Sequence, residues 1–478
     1  MVWLAVFLLD LSLGVLIRGM PGKGPIAVVE GRGARRRILA CNEGARGEGV
    51  RPGMSLVAAW ALVPGLRALD RDPRAEDEAL AGLAAWAGQF TPLVSLVPGQ
   101  GILLEVGGSL GLFDGLEGLW GQVHRGLLDL GYRGVLAAAP TPLGAWLLAR
   151  GGGEDRVQDG RTLRDRLARL PLTHTDLPPE HLKSLGGMGI LSLGDLMGLP
   201  RDGLARRLGA EVVDLLDRAL GRLPDPREPY VPPSTFVARL SLPTAVAEVE
   251  TLLFPLHRLV LELVGYLRAV GGGVERVTVG LEHSRSPATR LTVGLAGSSR
   301  DAQHLQALVR ERLSRTPLQG PVEAVSLAVG RVVSLDAVSL DLFAGADRTA
   351  ETWQQLVDRL RVRLGHLAVW ELAPVADHRP ERAWRPGPAG VDGPREVPGL
   401  RPLWLLDPPR VLETSDDRPA WGGVLALQGG PERIEGGWWD GGDISRDYYV
   451  AENPAGECAW VFRERQPPHR WFLHGIFS

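Results

Sequence analysis

The sequence predicts a multidomain α/β protein, and three observations carry that expectation. The chain has 478 residues and 45% hydrophobic content, against roughly 100 to 200 residues for an ordinary domain, which gives about three or four domains. Short apolar runs rich in β-branched residues alternate with alanine- and leucine-rich stretches of helical period. Pro224, Pro226, Pro229, Pro232 and Pro233 then form a stiff linker that no helix crosses. With 23% charged residues and a formal net charge of −3, the chain is neither a polyelectrolyte, a wholly basic nucleic-acid coat nor a disordered acidic protein. Any nucleic-acid contact is therefore a local patch. Only Lys23 and Lys183 among the 53 basic residues are lysines, and with 62 Gly and 37 Pro this is the composition expected from a GC-rich genome and carries no functional reading.

Taken in order, the apolar run 2–9 reads as a buried first strand: it lacks a basic leading segment and a small-residue cleavage site, and it meets Asp10. Strands are expected at Ile26–Glu30, 102–106 and 131–139, and helices at 76–87, 116–130 and Pro142–Arg150, the last opening on proline. A glycine break at 151–153 precedes a wholly helical stretch, 163–223. Beyond the proline linker a new domain starts near Phe236, with a long amphipathic helix over 245–270, strands at 274–282 and 289–296, a helix at 300–314 and a strand at Val322–Val329. A helix over 349–364 leads into proline-rich segments, and eight of the fourteen tryptophans lie between Trp370 and Trp471. No stretch of 18 apolar residues suggests a membrane span. Cys41 and Cys458 are too few and too far apart for a disulfide framework or a thiolate zinc site, which fits a reducing cytoplasm.

The most informative local motif is 182–208, LKSLGGMGILSLGDLMGLPRDGLARRL, two short apolar helices around Gly186, Gly187, Met188, Gly189 and Ile190. This has the form of a helix-hairpin-helix, whose glycine turn brings backbone N–H groups at the start of the second helix close to a DNA phosphate. A plain αα-hairpin with a glycine turn is the other reading. The second informative segment, 38–59, contains NEGARGEGVRPGM, with Arg46 before a glycine-flanked turn and an apolar helix beginning at Met54.

That segment resembles the fingers motif of the Y-family translesion DNA polymerases. The resemblance implies palm and fingers over 1–170 (fingers about 11–74), a helix-hairpin-helix thumb over 171–230, an α/β little finger over 231–345 and a C-terminal partner-binding region over 346–478. It also implies two magnesium ions held by three carboxylates at the ends of palm strands, where they stabilise the attacking and leaving oxygens of phosphoryl transfer. Here the sequence departs from the family. The first palm segment, VFLLDLSLGVL, has one acid, Asp10; the second, ILLEVGGSLGLF, matches Glu105 to the family's aspartate and Val106 to its glutamate. The tyrosine that holds the incoming triphosphate matches Glu43, a like charge to phosphate, while Arg46 is kept and the later lysine matches Trp146 approximately. Losing these ligands together is hard to reconcile with efficient catalysis, so the fold is expected to persist without the chemistry. No cofactor and no bound metal are expected.

This combination resembles the catalytically degenerate Y-family relative found in bacterial SOS mutagenesis cassettes, most closely in LAPVADHRPERAW at 372–384 and in the terminal GGWWDGGDISRDYYVAENPAGECAWVFRERQPPHRWFLHGIFS. The resemblance covers the whole chain. It implies a nucleoid-associated cytoplasmic adaptor joining damaged or primer-template DNA, the sliding clamp, an ImuA-type RecA-like protein and an error-prone replicative-type polymerase alpha subunit. Trp438, Trp439, Tyr448, Tyr449, Trp460, Trp471 and Phe472 are of the kind enriched at interface hot spots; more than half of them are also accounted for as the core of a small β-rich domain. His378, His469 and His474 lack metal-ligand spacing and read as surface or core histidines. Ser339, Leu340, Asp341, Leu342 and Phe343 resemble a clamp-binding pentapeptide with serine for its glutamine, a leucine and an aromatic anchor in an apolar pocket; an ordinary strand-end turn is the alternative. Arg276, Arg285, Arg290, Arg310, Arg312 and Arg315 are candidates for phosphate contacts or solvated surface arginines. The rival functions are an active low-fidelity polymerase using Asp10, Glu105 and a displaced ligand such as Asp114, and a DNA-junction binder without replisome partners.

Overall fold

The structure, a computed structural model, describes residues 1–19, 24–335, 353–365, 368–369, 372–387 and 400–477. The chain divides into two compact units, Met1–Arg363 and Leu364–Ser478. The first opens with β1 (Trp3–Leu8) and α1 (Leu11–Ile17), followed by a small lobe of β2 (Ile26–Glu30), β3 (Arg37–Cys41), α2 (Glu43–Gly47), α3 (Leu56–Leu62) and β4 (Arg67–Asp70). It continues through α4 (Pro73–Ala87), β5 (Val94–Val97), β6 (Gly101–Glu105), α5 (Gly115–Asp129), β7 (Gly134–Ala139) and α6 (Pro142–Arg150).

Alternation along β1 decides how the central sheet is covered. The strand order is β5-β6-β1-β7, antiparallel at β1. Leu4, Val6 and Leu8 point to one face and pack with Leu80 and Leu83 of α4 and Leu119 and Val123 of α5. Ala5, with Leu103 and Ala137, points to the other face against Trp146 and Leu147 of α6. Asp72 caps α4 by accepting from Ala75 N–H, with proline in its first turn, so the helix begins three residues before the expected position. In the small lobe, β2 lies between antiparallel β3 and parallel β4. Its apolar helix starts at Leu56 rather than Met54, because the Ser55 hydroxyl accepts from Ala58 N–H and fixes the first turn there.

The helical stretch resolves into α7 (Gly160–Ala168), α8 (Pro179–Gly187), α9 (Leu193–Met197), α10 (Arg201–Leu208) and α11 (Ala210–Leu220), which share a core with α6. The second α/β module contains β8 (Phe236–Val246), α12 (Val249–Ala269), β9 (Gly272–His283), β10 (Thr289–Ser299), α13 (Ala302–Ser314) and β11 (Val322–Val329), in sheet order β10-β9-β11-β8. Here the expectation of a helix from 245 fails. Phe236, Ala238, Leu240 and Leu242 alternate with outward residues, a period-2 pattern that makes the segment a strand paired with β11, and the helix starts only at Val249. Two further elements pack on this module: β12 (Val333–Ser334) pairs with β9, and α14 (Trp353–Leu364) sets Asp358 against His304 of α13 at 2.8 Å.

The module is also joined to the central sheet's helices as one core joins another. Trp86 of α4 lies between α5 and α12, and a Cβ at Gly126 or Gly265 would collide with its ring, so glycine is what permits this approach. Beside it, Arg18 pairs with buried Glu262 of α12 at 3.6 Å and donates to the Tyr132 hydroxyl. Burial pushes the Glu262 carboxyl above its ordinary value, and the Arg18 charge works against that shift.

The second unit contains two small hairpins, β13 (Leu372–Pro374) with β14 (Trp384–Pro386) and β16 (Glu413–Ser415) with β17 (Arg418–Ala420), and a five-stranded antiparallel sheet. That sheet is built from β15 (Trp404–Val411), β18 (Ala426–Gly436), β19 (Ile444–Glu452), β20 (Cys458–Glu464) and β21 (Trp471–Ile476), in the order β15-β21-β20-β19-β18.

Candidate functional site

Asp10 lies just past the end of β1, at the start of α1, in left-handed conformation with φ 55°. Its carboxylate is taken by Arg46 of α2. Burial works to lower the Arg46 guanidinium, but Asp10 and the Cys41 thiol outweigh it and hold Arg46 above its ordinary value. The two groups of this site that sequence comparison retained therefore neutralise each other.

Glu105 does not join them. In the antiparallel pair of β1 and β6, Trp3 stands opposite Glu105 and Phe7 opposite Gly101, so Glu105 lies at the beginning of β1 and Asp10 beyond its end. The steps from Trp3 to Phe7 alone span roughly 13 Å of strand, against about 4 Å between the ions of a two-metal site. This corrects the expected pairing of Asp10 with Glu105. The Glu105 Oε1 instead accepts from the backbone N–H groups of Val2 and Gly107 at 3.3 and 3.1 Å. What lies beside Asp10 is the β5–β6 turn: Leu8 N–H donates to Gln100 C=O at 2.8 Å, and Pro98, Gly99 and Gln100 carry no carboxylate. Val106 is buried in the core under α4 and α5, and Asp114 opens α5 downstream of Glu105. Among the described residues, no three His, Cys, Asp or Glu side chains gather as a metal site.

The other nucleotide positions are equally changed. Glu43 is exposed and pairs with exposed Arg133 at 2.5 Å, which offsets its charge. Trp146 is 3% exposed and meets the Phe7 ring edge-on at 5.6 Å, so its place is the core between α6 and the central sheet rather than an open phosphate site.

The expected hairpin forms between α8 and α9, with Gly186, Gly187, Met188 and Gly189 exposed and Gly189 at φ +78°. Its donors, however, are already used. Met188 and Ile190 N–H donate to Leu185 C=O, and Gly189 N–H to Gly186 C=O. At the next helix, Leu191 and Ser192 N–H donate to the Asp195 carboxylate at 3.1 and 3.0 Å, while Ser192 caps Asp195 N–H. Hydrogen bonding with the Ser192 side chain first, and then with the Ser192 and Leu191 N–H groups, holds the Asp195 carboxyl below its ordinary value. The expectation of free turn N–H groups for phosphate thus fails, because Asp195 supplies the anion from within the chain.

In the second module, β9 and β10 pair Arg276 with Gly294 and Arg290 with Gly280, and both arginines are exposed. Val277, Val279, Leu291 and Val293 point the other way into the core with Leu305 and Leu308 of α13. Arg276 and Arg290 therefore share the outer sheet face, without an ion pair among the described residues, and glycines opposite leave them uncrowded. Arg285 lies in the β9–β10 hairpin. Arg310 and Arg312 belong to α13 on the opposite side of the sheet, and Arg315 just past it pairs with Glu311, so the six candidates do not form one patch.

In the second unit the aromatics separate. Tyr448, Trp460 and Trp471 are buried, and Tyr449 and Phe472 are half-buried against them. Trp438 and Trp439 are 79% and 57% exposed on the turn after β18. That turn is fixed by Arg379, which is buried, pairs with Asp377 and Asp440 at 2.7 Å each and stands 5.4 Å from the Trp439 ring centre. Sequence reasoning missed Arg379; an arginine flanked by Asp377 within the 372–384 motif was the available signal. His474 is wholly buried, shares a hydrogen bond with the Tyr448 hydroxyl at 2.8 Å, and has its pKa brought down to about 4 by burial. His378 is exposed and His469 lies in a left-handed turn. Ser339–Phe343 lies outside the described residues; β12 before it and α14 after it both pack on the second α/β module.

The family model described as impB/mucB/samB family matches residues 16–150. The chain is 31% identical over 472 residues to Protein ImuB of Caulobacter vibrioides strain NA1000 / CB15N, spanning 90% of this chain and all of that one, with the same values for Protein ImuB of strain ATCC 19089 / CIP 103742 / CB 15. Among solved structures it is similar to the insertion ternary complex of Dbh DNA polymerase, at 19% identity and TM-score 0.40, and to DinB from Sulfolobus solfataricus, at 19% and 0.39; each covers 70% of this chain and all of the other.

Proposed function

Because the chain belongs to the family of Protein ImuB, with the mixed α/β fold of the Y-family polymerases, we propose that it is a non-catalytic adaptor in SOS-induced translesion synthesis and mutagenesis in the bacterial cytoplasm. The observation that carries this reading is the register of β1 against β6. It leaves Asp10 paired to Arg46, with Glu105 at the other end of the strand and a Pro-Gly-Gln turn alongside. A lone, ion-paired carboxylate lacks the ligands that phosphoryl transfer through two magnesium ions requires.

The adaptor binds primer-template DNA through Arg276 and Arg290 on the open sheet face. It presents Trp438 and Trp439 to a protein partner, an ImuA-type protein or an error-prone replicative-type polymerase alpha subunit, and the sliding clamp takes Ser339–Phe343. The pinning of the tryptophan turn by Arg379 supports the partner surface, because a preorganised aromatic anchor loses little freedom on docking. Clamp binding that disappears on Leu342→Ala with Phe343→Ala supports the pentapeptide; unchanged binding removes it.

The deciding experiment is primer extension with magnesium, then manganese, on undamaged and lesion-bearing templates. Asp10→Asn is the control for contaminating polymerase, since Asp10 rather than Glu105 occupies the palm end. No extension above that control, with primer-template still bound, is the expected result. Extension abolished by Asp10→Asn would return the chain to the active polymerases.

A further inference from the structure

The small lobe differs in charge from the rest of the chain. Residues 24–71 contain eight arginines against four carboxylates, in a protein whose net charge is −3. Arg36, Arg46 and Arg71 are spent on ion pairs with Asp70, Asp10 and the Glu30–Glu76 pair, and Arg67 donates to Pro243 C=O at 2.5 Å. Arg32, Arg35, Arg37 and Arg51 remain exposed and make no ion pair among the described residues.

Backbone bonds bring Arg37 and the loop that carries Arg51 to the start of α3. Arg37 bridges to Ser55 and donates to Gly53 C=O at 2.9 Å, Leu56 N–H donates to Arg36 C=O at 3.0 Å, and Arg51 donates to Val50 C=O at 3.0 Å. The helix they adjoin buries Leu56 and Ala59 and turns its other apolar side outward, with Val57 70%, Trp60 44% and Leu62 53% exposed. The Trp60 indole N–H is fixed to Leu66 C=O at 3.1 Å, so the exposed ring is held in one position.

We propose that this face binds single-stranded nucleic acid, with an unpaired base stacked on Trp60 and neighbouring phosphates against Arg35, Arg37 and Arg51. Four uncompensated guanidiniums select a polyanion, and the fixed flat apolar ring on the helix beside them favours a polyanion whose bases are free to stack. A duplex keeps its bases inside and has none to offer Trp60. This inference rests on the reading that the chain binds DNA and adds the lobe that takes the unpaired strand.

The test is fluorescence anisotropy with the full chain, a labelled oligothymidylate and a labelled blunt duplex of equal length. Trp60→Ala is expected to weaken oligothymidylate about tenfold and to leave the duplex unchanged. Trp60→Phe, which keeps a stacking face but loses the bond to Leu66, stays within about threefold of the parent. Arg37→Gln with Arg51→Gln flattens the dependence of log affinity on log salt by roughly 1.4. Unchanged single-strand binding in Trp60→Ala, or an equal loss in Trp60→Phe, overturns the inference, and the first outcome leaves the apolar strip to a protein partner. Failure of the parent chain to bind primer-template at all would instead overturn the reading beneath it.

Discussion

The Asp10 end of the central sheet and the outer face of the second α/β module dispose of charge in opposite ways. At the first, Asp10 is matched by Arg46 and Glu43 by Arg133, so little charge is left for a triphosphate or a metal. At the second, Arg276 and Arg290 stand opposite glycines with no carboxylate partner among the described residues. A surface that must hold a polyanion has to leave cations unspent, whereas a site released from that task can spend them on its own stability. On the proposed function, the contrast is that of a DNA-binding surface and a palm end without catalysis.

The largest expected effect sharpens the contrast from the binding side. Arg276→Glu with Arg290→Glu should weaken primer-template about 100-fold at low salt, measured by anisotropy, with the parent advantage shrinking as salt rises. An effect smaller than that of reversing Arg310 and Arg312 on α13 would break it. Burial provides a third way of disposing of charge, at His474. Its pKa in the folded chain lies near 4, below its ordinary value of 6.5, so the unfolded chain takes up the proton first as pH falls. Stability is therefore full above about pH 6.5 and declines towards pH 4, by on the order of 3 kcal/mol. Urea unfolding across that range, with His474→Gln flattening the decline, checks the sign.

A smaller effect concerns the hairpin. Gly189→Ala forces a side chain into a left-handed turn and should cost about 1 kcal/mol of stability in thermal unfolding, with no change in DNA affinity, because the turn donors are already bonded within the chain. The smallest tests the other half of the contrast. Asp10→Asn leaves Arg46 without its counter-charge and should raise affinity for a nucleoside triphosphate by about threefold, the yield of one partly exposed ion pair. No change in equilibrium dialysis would mean that Arg46 is held out of reach by something other than Asp10.

The element types were readable wherever apolar period was strong, as at Pro142–Arg150 and Val322–Val329. The strand over Phe236–Val246 was lost because its alternation ran directly into a longer helical pattern, and pairing with β11 settled it. Site residues were readable as chemistry but not as geometry. Matching letters set Glu105 beside Asp10, whereas strand direction, which no local pattern encodes, places it at the opposite end. The glycine turn around Gly189 was likewise foreseen, yet Asp195, a residue that helix-capping rules pick out, decides what its N–H groups hold. Trp146 was assigned by position in a motif, and only packing against Phe7 shows it as core.

The tryptophan wedged between Gly126 and Gly265 bears on how this gene can be taken apart. Trp86 is supplied by the helix before the proline linker, and one of the two glycines that admit it is supplied after it. A fragment ending at that linker would carry a bared indole and a stranded Arg18, and its complement an open groove with Glu262 at the bottom. A truncation there breaks an interior as well as removing a module, so its phenotype reports both.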